Sequence, residues 1–534
     1  MPEVEAKFLV RNPLQLDQLF ELIRGAGYAI EPDLDETFVD HYYDTPNWAL
    51  LRAGWAYRCR DRDGEHTIGL KAFTLGEGPV QVREEVEQHV LIAHTRSSEL
   101  PSGPVRDRLA ALVNGAQPDE LFSIRNQRLR CTVVAPNAAA RIELAIDQSH
   151  VEAEDIAKKK APGVLDFTEL ELELKQGRRE PLDLLVKILT TEADLLPARM
   201  SKFERGLQAA GLAAPPDAAK DAPPGPDEPL IRVAYYHLRK QFELLRFQQP
   251  RAWEGLDPDG VHQMRVATRR LRAALRVFRE VLPERTRMRF NEAFRWLGDA
   301  LGAVRDLDVY RDDLVHYMAA IPPNDAQSLL PYHHYLLRET QKARRKLIAA
   351  LDSKRCARLM ERFGRFIERG PSRTALRRFR MRVGNVVASD VDDRLKTVLK
   401  HGRRVREHLS AEGLHALRSR CKRLRYTLEF FADLCPKVLR DAIDATTRLQ
   451  DLLGTHQDAS VATSRLRTYA STVSVRAHHR GLLLSLGQLI HSQEQYATEE
   501  RQRFHDEWRK FKKDVSRKKL RAALQDLEDN HERR

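Results

Sequence analysis

The sequence contains few cysteines, few aromatic residues and no long apolar run. Its five cysteines, Cys59, Cys131, Cys356, Cys421 and Cys435, form no Cys-x-x-Cys pair and are odd in number. This argues against a disulfide framework or a structural zinc site and predicts buried thiols in a reducing cytoplasm. No stretch approaches the roughly eighteen apolar residues of a membrane helix, and charged residues follow the first methionine at once. We therefore expect a soluble, cytoplasmic chain, whose 534 residues predict about two to four domains.

Charge is divided unevenly along the chain. Residues 1–220 hold 27 Lys+Arg and 36 Asp+Glu, whereas residues 221–534 hold 63 and 41. The first part therefore carries −9 and the second +22, within a total of +13. Two parts of opposite charge are expected to have different ligands, and the basic part should attract a polyanion.

The charge break coincides with an Ala-, Pro-, Gly- and Asp-rich stretch at 209–229, which predicts a linker. Before it, period-two segments at 3–7, 56–60, 80–87, 141–147 and 169–173 predict antiparallel strands, with an Asp63-Gly64 hairpin and helices near 13–25 and 181–194. After it, amphipathic segments of period near 3.6 predict an all-α domain.

The helical part contains an internal repeat. Val-His-Gln-Met-Arg at the start of segment 261–272 returns as Leu-His-Ala-Leu-Arg in segment 414–425, shifted by 153 residues. Leu-Gly-Ala-Val-Arg-Asp at 301–306 returns as Leu-Gly-Thr-His-Gln-Asp at 453–458, shifted by 152. Two linked matches at nearly one offset predict a duplicated helical unit.

In the strand part, charged residues occupy alternate positions and therefore one face of each predicted strand. A solvated sheet face is the ordinary explanation, but these faces carry Glu and Arg almost exclusively, and glutamates in line repel each other unless cations offset the cost. Carboxylates without His or Cys suit Mg²⁺ or Mn²⁺, whereas Arg and Lys suit phosphate. Together they predict a phosphoryl-transfer site.

The opening Glu3-x-Glu5-x-Lys7 resembles the signature of the CYTH domains, also called triphosphate tunnel metalloenzymes. Further motifs follow in that family's order over residues 1–207: His41-Tyr-Tyr-Asp-Thr-Pro46, Tyr57-Arg-Cys-Arg60, Lys71, Arg83-x-Glu85-x-Glu87, Ile146-Asp-Gln148, Glu169-Leu-Glu-Leu-Glu173 and Ser201-Lys202. The resemblance implies an α+β domain built on an eight-stranded antiparallel β-barrel whose charged faces line the lumen. It also implies hydrolysis or cyclisation of triphosphates with Mg²⁺ or Mn²⁺.

The same resemblance assigns roles to individual residues. The implied metal ligands are Glu3, Glu5, Glu169, Glu171 and Glu173, with Asp147, Glu85 and Glu87 as further candidates. The implied catalytic phosphate contacts are Lys7, Arg58, Arg60, Lys71, Arg83, Arg128, Arg130 and Lys202. For Lys202, the alternative that it begins a surface helix stays open. Where relatives commonly read Asp-Gln-Gly, this chain has Ser149, and we expect that change to alter a strand end.

Two cationic stripes follow from the helical repeat. On a helix, His262, Arg265, Arg269 and Arg272 fall within about 80° of one another, and His415, Arg418, Lys422 and Arg425 form the twin. A solvated face explains one such stripe, but its repetition favours a phosphate-binding surface. Arg276 extends the first stripe, whereas Glu429 takes the equivalent place in the second, so we expect stronger binding by the first half. Asp306 and Asp458 could orient arginines or cap helices.

These motifs resemble the CHAD domain, the conserved-histidine α-helical domain, over about residues 229–520. The resemblance implies two pseudo-symmetric helical bundles with a groove that binds inorganic polyphosphate, often at bacterial polyphosphate granules. The implied binding residues are His262, Arg265, Arg269, Arg270, Arg272, Arg276, Arg305, His415, Arg418, Lys422, Arg423 and Arg425. The order CYTH then CHAD favours an inorganic triphosphatase.

The expected organisation is a multidomain chain. It comprises a tunnel domain at 1–207, a linker at 208–228, a duplicated helical domain at 229–525 (repeats at about 229–380 and 381–525) and a charged tail at 526–534. The alternative functions are an adenylate cyclase, which needs an adenine pocket, and a non-catalytic polyphosphate-granule protein. Nucleic-acid binding is disfavoured because no aromatic residues are interleaved in the cationic stripes for stacking bases, and we expect no membrane partner.

Overall fold

The computed structural model divides the chain into two compact units, residues 1–220 and 221–534. It describes residues 3–10, 15–33, 35–72, 80–91, 99–153, 163–192, 195–212, 224–225, 228–256, 258–378, 383–432, 436–474, 476, 479–516 and 520. Among these, no helix is both long and apolar enough to cross a membrane. Four of the predicted thiols, at Cys59, Cys131, Cys356 and Cys421, are buried and unpaired, whereas Cys435 lies outside the described residues.

The first unit is a β-barrel with helices on its outside. Its strands are β1 (Glu3–Val10), β2 (Ala29–Pro32), β3 (Glu36–Asp44), β4 (Trp55–Arg62), β5 (Glu65–Ala72), β6 (Val80–Arg83), β7 (Glu85–Val90), β8 (Asp119–Val134), β9 (Ala140–Ala153), β10 (Gly163–Gly177) and β11 (Leu196–Pro197). Its α-helices are α1 (Gln15–Gly25), α2 (Ala49–Arg52), α3 (Pro104–Val113), α4 (Glu180–Thr191) and α5 (Lys202–Ala209).

The barrel closes through one composite strand. The antiparallel order is β1-β10-β9-β8-β3-β4-β5-β7. Strand β7 pairs with β5, whereas β6, which precedes it across Glu84, pairs with β1. The segment 80–90 therefore joins both ends of the sheet. The predicted eight-stranded antiparallel barrel is confirmed, and with it the Asp63-Gly64 hairpin, where both residues adopt positive φ between β4 and β5.

The apolar core of this unit lies outside the barrel, not in its lumen. Outward side chains such as Ile142 and Leu170 pack against Ile23 of α1 and Leu185 of α4. On the other side of the barrel, Tyr57 and Leu70 pack against α2 and α3. Each buried aliphatic side chain of this kind contributes about 2 kcal/mol. Because the helices bury much of the apolar outer face of the sheet, the opposite face lines the lumen with charge.

In the part of the second unit that the structure describes, the regular elements are all helices, as predicted. Its helices are α6 (Leu230–Glu254), α7 (Pro258–Val277), α8 (Glu284–Ala320), α9 (Pro323–Ser328), α10 (Leu330–Leu351), α11 (Lys354–Arg369), α12 (Arg373–Arg378), α13 (Val383–Glu407), α14 (Ala411–Phe430), α15 (Pro436–Thr472) and α16 (Arg480–Asp514). The lengths of α6, α7 and α8 are 25, 20 and 37 residues, and those of α13, α14 and α15 are the same. Helix α7 packs between α6 and α8 as α14 packs between α13 and α15, which confirms the duplication.

Candidate functional site

The barrel lumen contains a cavity of about 550 Å³ lined mainly by charged side chains. Its described cations are Lys7, Arg58, Arg60, Arg62, Lys71, Arg128, Arg130, Lys175 and Lys202. Its described carboxylates are Glu5, Glu85, Glu87, Glu143, Glu171 and Glu173. Nine cations face six carboxylates, so the described lining carries an excess of positive charge suited to a polyanion.

Period-two alternation puts these side chains in the lumen. On β10, Glu171 and Glu173 face inward while Leu170 and Leu172 are buried in the outer core. The register then brings charges from separate strands together, because Lys7 of β1 lies opposite Glu171.

Lys7 lies between two of the predicted metal ligands. Its Nζ donates to Glu171 Oε1 at 2.6 Å and is 3.2 Å from Glu5 Oε2. Lys71 Nζ makes a similar bridge, 2.8 Å from Glu85 Oε2 and 3.8 Å from Glu5 Oε2. Carboxylates of three strands therefore converge on ammonium groups.

Glu171 is the centre of this charge network. It accepts from Lys7, from Arg128 Nη2 at 3.0 Å and from Lys202 Nζ at 3.1 Å. Burial by itself would raise the pKa of the Glu171 carboxyl, but Lys202, Lys7 and Arg128 hold it well below its usual range. The Glu171 side chain is therefore a carboxylate throughout the physiological pH range.

A fully buried aspartate, Asp40 of β3, fixes two of the predicted phosphate contacts. Arg60 donates to it through Nε at 2.7 Å and Nη2 at 3.0 Å, and Arg58 Nη1 lies 3.9 Å away. Burial would raise the pKa of Asp40, yet Arg60 and Arg58 lower it to about 2. The Arg60 guanidinium also lies 3.8 Å from the ring centroid of Phe38. Arg60 is thus held in one orientation.

Helix α5 packs on lumen-facing side chains at one end of the cavity. It begins with a capping box in which Ser201 and Glu204 exchange hydrogen bonds. Phe203 packs on the rings of Tyr42 and Phe122, with centroids 5.4 and 5.8 Å apart. Lys202 begins this helix, but the helix start is buried and not at the surface, and Lys202 lines the cavity. Its contact with phosphate stays a prediction.

The structure separates the predicted residues into three groups. Glu5, Glu85, Glu87, Glu171, Glu173 and the cations Lys7, Arg58, Arg60, Lys71, Arg128, Arg130 and Lys202 line the cavity. The side chains of Glu3 and Arg83 lie outside the described residues. Asp147 and Glu169 are fully buried beside the cavity: Asp147 accepts both Nε and Nη2 of Arg128 at 2.6 Å, and Glu169 accepts from Arg205 of α5 at 3.1 Å.

The expectation for Ser149 is wrong. Ser149 lies within β9 and does not mark a strand end. Its hydroxyl donates to Asn126 Oδ1 at 2.7 Å, and Asn126 Nδ2 lies 3.5 Å from Asp40. The hydroxyl therefore joins the buried polar contacts behind Arg60.

In the second unit, α7 and α14 pack against each other and bring the two cationic stripes together. Burial, Arg418 and Arg269 lower the pKa of Lys422 to about 8, so cations of both repeats lie around this lysine. Burial, Arg272 and Arg423 likewise lower the pKa of Arg276. The sequence predicted two stripes, and the structure makes them one surface.

Equivalent glycines let one arginine of each stripe lie against the next helix. A Cβ at Gly302 would be 3.6 Å from Arg265 Cζ, and one at Gly454 would be 3.2 Å from Arg418 Nη2. Arg265 Nη1 donates to Asp306 at 2.6 Å, while Arg418 Nη2 is 3.9 Å from Asp458. The aspartates therefore orient arginines, which decides the alternative that the sequence left open.

The two histidines have different surroundings. Burial and Arg305 lower the pKa of His262, so it is neutral near pH 7. His415 is exposed, and its Nδ1 is 3.1 Å from Gln457 Oε1.

Glu429 lowers the positive charge where the halves meet. Its carboxylate is 3.1 Å from Arg270 Nη2 and 3.3 Å from Arg425 Nε. The second repeat therefore has a carboxylate, which offsets neighbouring positive charge, at the position where the first repeat has Arg276.

The sequence model of the CYTH domain family matches residues 1–207, and that of the CHAD domain family matches residues 236–467. The chain is a CYTH–CHAD protein. Members of the CYTH family are phosphoanhydride hydrolases or cyclases. Uncharacterized proteins of two Mycobacterium tuberculosis strains are each 26% identical to the chain over 476 residues, which cover 87% of this chain and 88% of the relative.

Solved structures resemble each domain separately. The CHAD domain of the plant Ricinus communis is 26% identical, with a TM-score of 0.44, and the match covers 57% of this chain and 95% of that one. PptA from Streptomyces chartreusis is 16% identical, with a TM-score of 0.43 and coverage of 53% and 100%. A Hippeastrum protein described as a putative adenylyl cyclase with a dominant triphosphatase activity is 18% identical, with a TM-score of 0.29. The match covers 40% of this chain and 98% of that one.

The donor set of the CYTH tunnel fits a hard divalent cation. Among the described residues, no three His, Cys, Asp or Glu side chains are grouped closely enough to enclose a metal ion. Glu5 and Glu171 are nevertheless brought within reach of one ammonium, that of Lys7. An all-carboxylate oxygen set around a positive charge suits Mg²⁺ or Mn²⁺ and not zinc.

Three cavity-lining residues were not predicted from the sequence, although they follow the same period-two alternation of charge. Arg62 continues the alternation of β4, Glu143 that of β9 and Lys175 that of β10, and all three line the cavity. Asp40 gave no such signal, because its neighbours on the same face of β3 are Phe38 and Tyr42.

Proposed function

We propose that the CYTH domain hydrolyses inorganic triphosphate to pyrophosphate and orthophosphate with Mg²⁺ or Mn²⁺, and that the CHAD domain binds inorganic polyphosphate. The observation that carries the first part is the lumen itself, where nine described cations and six carboxylates surround about 550 Å³. An enclosed lining of this kind neutralises a small, highly charged anion at many oxygens at once.

The roles of the chain's residues follow from their chemistry. Lys7, Lys71, Arg58, Arg60 and Arg128 would bind phosphate oxygens, Arg60 in the fixed orientation set by Asp40. Glu5, Glu171 and Glu173 would hold the divalent ion, which supplies charge neutralisation and a more acidic water. In the hydrolysis, a water oxygen bonds to the terminal phosphorus, and the P–O bond to the departing pyrophosphate breaks.

The described lining favours an inorganic substrate over a nucleotide. Its aromatic side chains are Tyr42 and Phe203, which pack on each other beside α5 and offer no open face to a base. Burial raises the pKa of Tyr42 to about 12, so its hydroxyl keeps its proton. The remaining lining is charged or small, which suits a ligand made of phosphate alone.

Phosphate release tests this proposal directly. We expect the full-length protein with Mg²⁺ or Mn²⁺ to release orthophosphate from tripolyphosphate faster than from ATP, and to release none after chelation of the metal. Cyclic AMP formation from ATP would instead support a cyclase. Polyphosphate binding without turnover of any of these compounds would support the granule-protein alternative.

The proposal for the CHAD domain rests on the merged cationic surface of α7 and α14. Arg265, Arg269 and Arg418 come from both repeats and surround Lys422. Burial, Arg418 and Arg269 lower the pKa of this lysine to about 8. Cations held so close together gain from a polyanion that relieves their repulsion.

Polyphosphate binding should weaken as pH rises above about 8. Lys422 loses its proton there in the free protein, whereas a bound phosphate favours the ammonium, so binding takes up a proton. We expect affinity to fall by up to about tenfold per pH unit above that value. For Lys422→Arg, the polyphosphate affinity measured by titration calorimetry should stay nearly constant between pH 7 and 9.5. If the affinities of Lys422→Arg and the wild type fell equally with pH, the pH dependence would not come from Lys422.

A further inference from the structure

Tyr426 lies where the cationic stripes of the two halves meet. It follows Arg425 on α14 and is only 4% exposed. The Cζ atoms of Arg269 and Arg425 lie 5.7 and 5.5 Å from the centroid of its ring. The ring thus lies close to one guanidinium of the first repeat and one of the second.

The Tyr426 hydroxyl is a buried polar group without a hydrogen-bond partner among the described residues. Three neighbouring donors in the same stripes, the Nε groups of Arg269, Arg272 and Arg418, are buried and also make no hydrogen bond there. Folded proteins rarely leave such groups unsatisfied, because each loses its water without a replacement. All four can donate a hydrogen bond, so an acceptor such as a phosphate oxygen would satisfy each of them.

Only one of the two repeats supplies this hydroxyl. With the offset of 153 residues that relates the stripes, the position equivalent to Tyr426 is Ala273, which is buried and apolar. Tyr426 therefore brings its hydroxyl to the junction of the two halves from one repeat only.

We propose that the Tyr426 hydroxyl donates a hydrogen bond to a phosphate oxygen of bound polyphosphate. This inference rests on the proposed function of the CHAD domain. The guanidinium groups of Arg269 and Arg425 lie beside the ring in the ligand-free protein. In this proposal they turn onto the polymer when it binds, which exposes the tyrosine to the same phosphates. The contact adds affinity that does not depend on charge.

The test is Tyr426→Phe in the full-length protein, with size-fractionated polyphosphate as the ligand. The ring is kept and only the hydroxyl is lost, so we expect affinity to fall about tenfold. Thermal stability of the ligand-free variant should be equal to or higher than that of the wild type, since an unsatisfied buried group has been removed. Tyr332→Phe is the matched control, because Tyr332 is equally buried against Tyr469 and away from both stripes. Its affinity should not change.

Salt dependence separates this role from that of the arginines. A neutral donor releases no counterions, so the slope of log affinity against log salt should be the same for Tyr426→Phe and wild type, whereas Arg269→Gln should lower it. Unchanged affinity of Tyr426→Phe, or a loss of ligand-free stability that accounts for the loss of affinity, would overturn the inference. Failure of the wild type itself to bind polyphosphate would reject the proposed CHAD function, and this inference with it.

Discussion

Replacing Glu171 by glutamine is expected to lower triphosphate turnover about 10²- to 10³-fold and to leave polyphosphate binding unchanged. The substitution keeps the shape of the side chain but removes a charge that Lys7, Arg128 and Lys202 all contact within 3.1 Å. Those three cations then repel each other, and the tunnel loses a carboxylate that would hold the divalent ion. Orthophosphate release from tripolyphosphate and retention on immobilised polyphosphate measure the two functions separately.

Glu87→Gln is the matched control for Glu171→Gln. Glu87 also lines the cavity and contacts Arg58 at 2.6 Å, but its side chain is 46% exposed, so water compensates for the lost charge. We expect a smaller loss of turnover, within about tenfold. If Glu171→Gln lost turnover and polyphosphate binding together, with its thermal stability intact, the division of functions between the two domains would be refuted.

Replacing Arg269 and Lys422 together by glutamine is expected to weaken polyphosphate binding by between about tenfold and about 100-fold, with triphosphate turnover unchanged. Each side chain contributes a charge-assisted contact worth about tenfold in affinity. Above about pH 8, the loss in the single Arg269→Gln variant should be smaller than tenfold, because removing Arg269 lets the pKa of Lys422 rise toward its ordinary value and keeps that lysine charged. When log affinity is plotted against log salt concentration, the magnitude of the slope should decrease by about 0.7 for each removed cation.

Lys342→Gln with Arg365→Gln removes the same charge from exposed positions on α10 and α11. Each of these side chains is already paired with a glutamate of its own helix at 2.8 Å. The affinity of this variant should equal that of the wild type. An equal loss in both double variants would mean that polyphosphate responds to the net charge of the domain and not to the surface formed by α7 and α14.

The alternation of charge in the first unit predicted its strands and most of the cavity lining. Asp147 and Glu169 obey the same alternation but lie buried against Arg128 and Arg205 beside the cavity, and their role as metal ligands stays a prediction. Alternation says which face of a strand a residue occupies, but it does not say which neighbour shares that face. The partner from α5 comes from a distant part of the sequence, and so the pairing could not be predicted.

Helical spacing predicted each cationic stripe, and the offset of 153 residues predicted their equivalence. It could not predict that α7 and α14 pack together, nor that the Tyr426 ring contacts both Arg269 and Arg425. A wheel diagram orders the residues of one helix, whereas contacts between helices depend on the packing of their other faces.

The sequence by itself determined the order of a strand domain and a duplicated helical domain, the charged face of each strand and the cationic stripe of each repeat. These properties are local, because backbone periodicity fixes where neighbouring side chains point. The tertiary structure decided which carboxylates face the lumen, that Asp40 holds Arg60, and that two stripes form one surface. Those outcomes depend on strand register, on the closure of segment 80–90 onto β1 and on the packing of α7 against α14. Each joins residues that are far apart in sequence, and only the burial of the apolar faces brings them together.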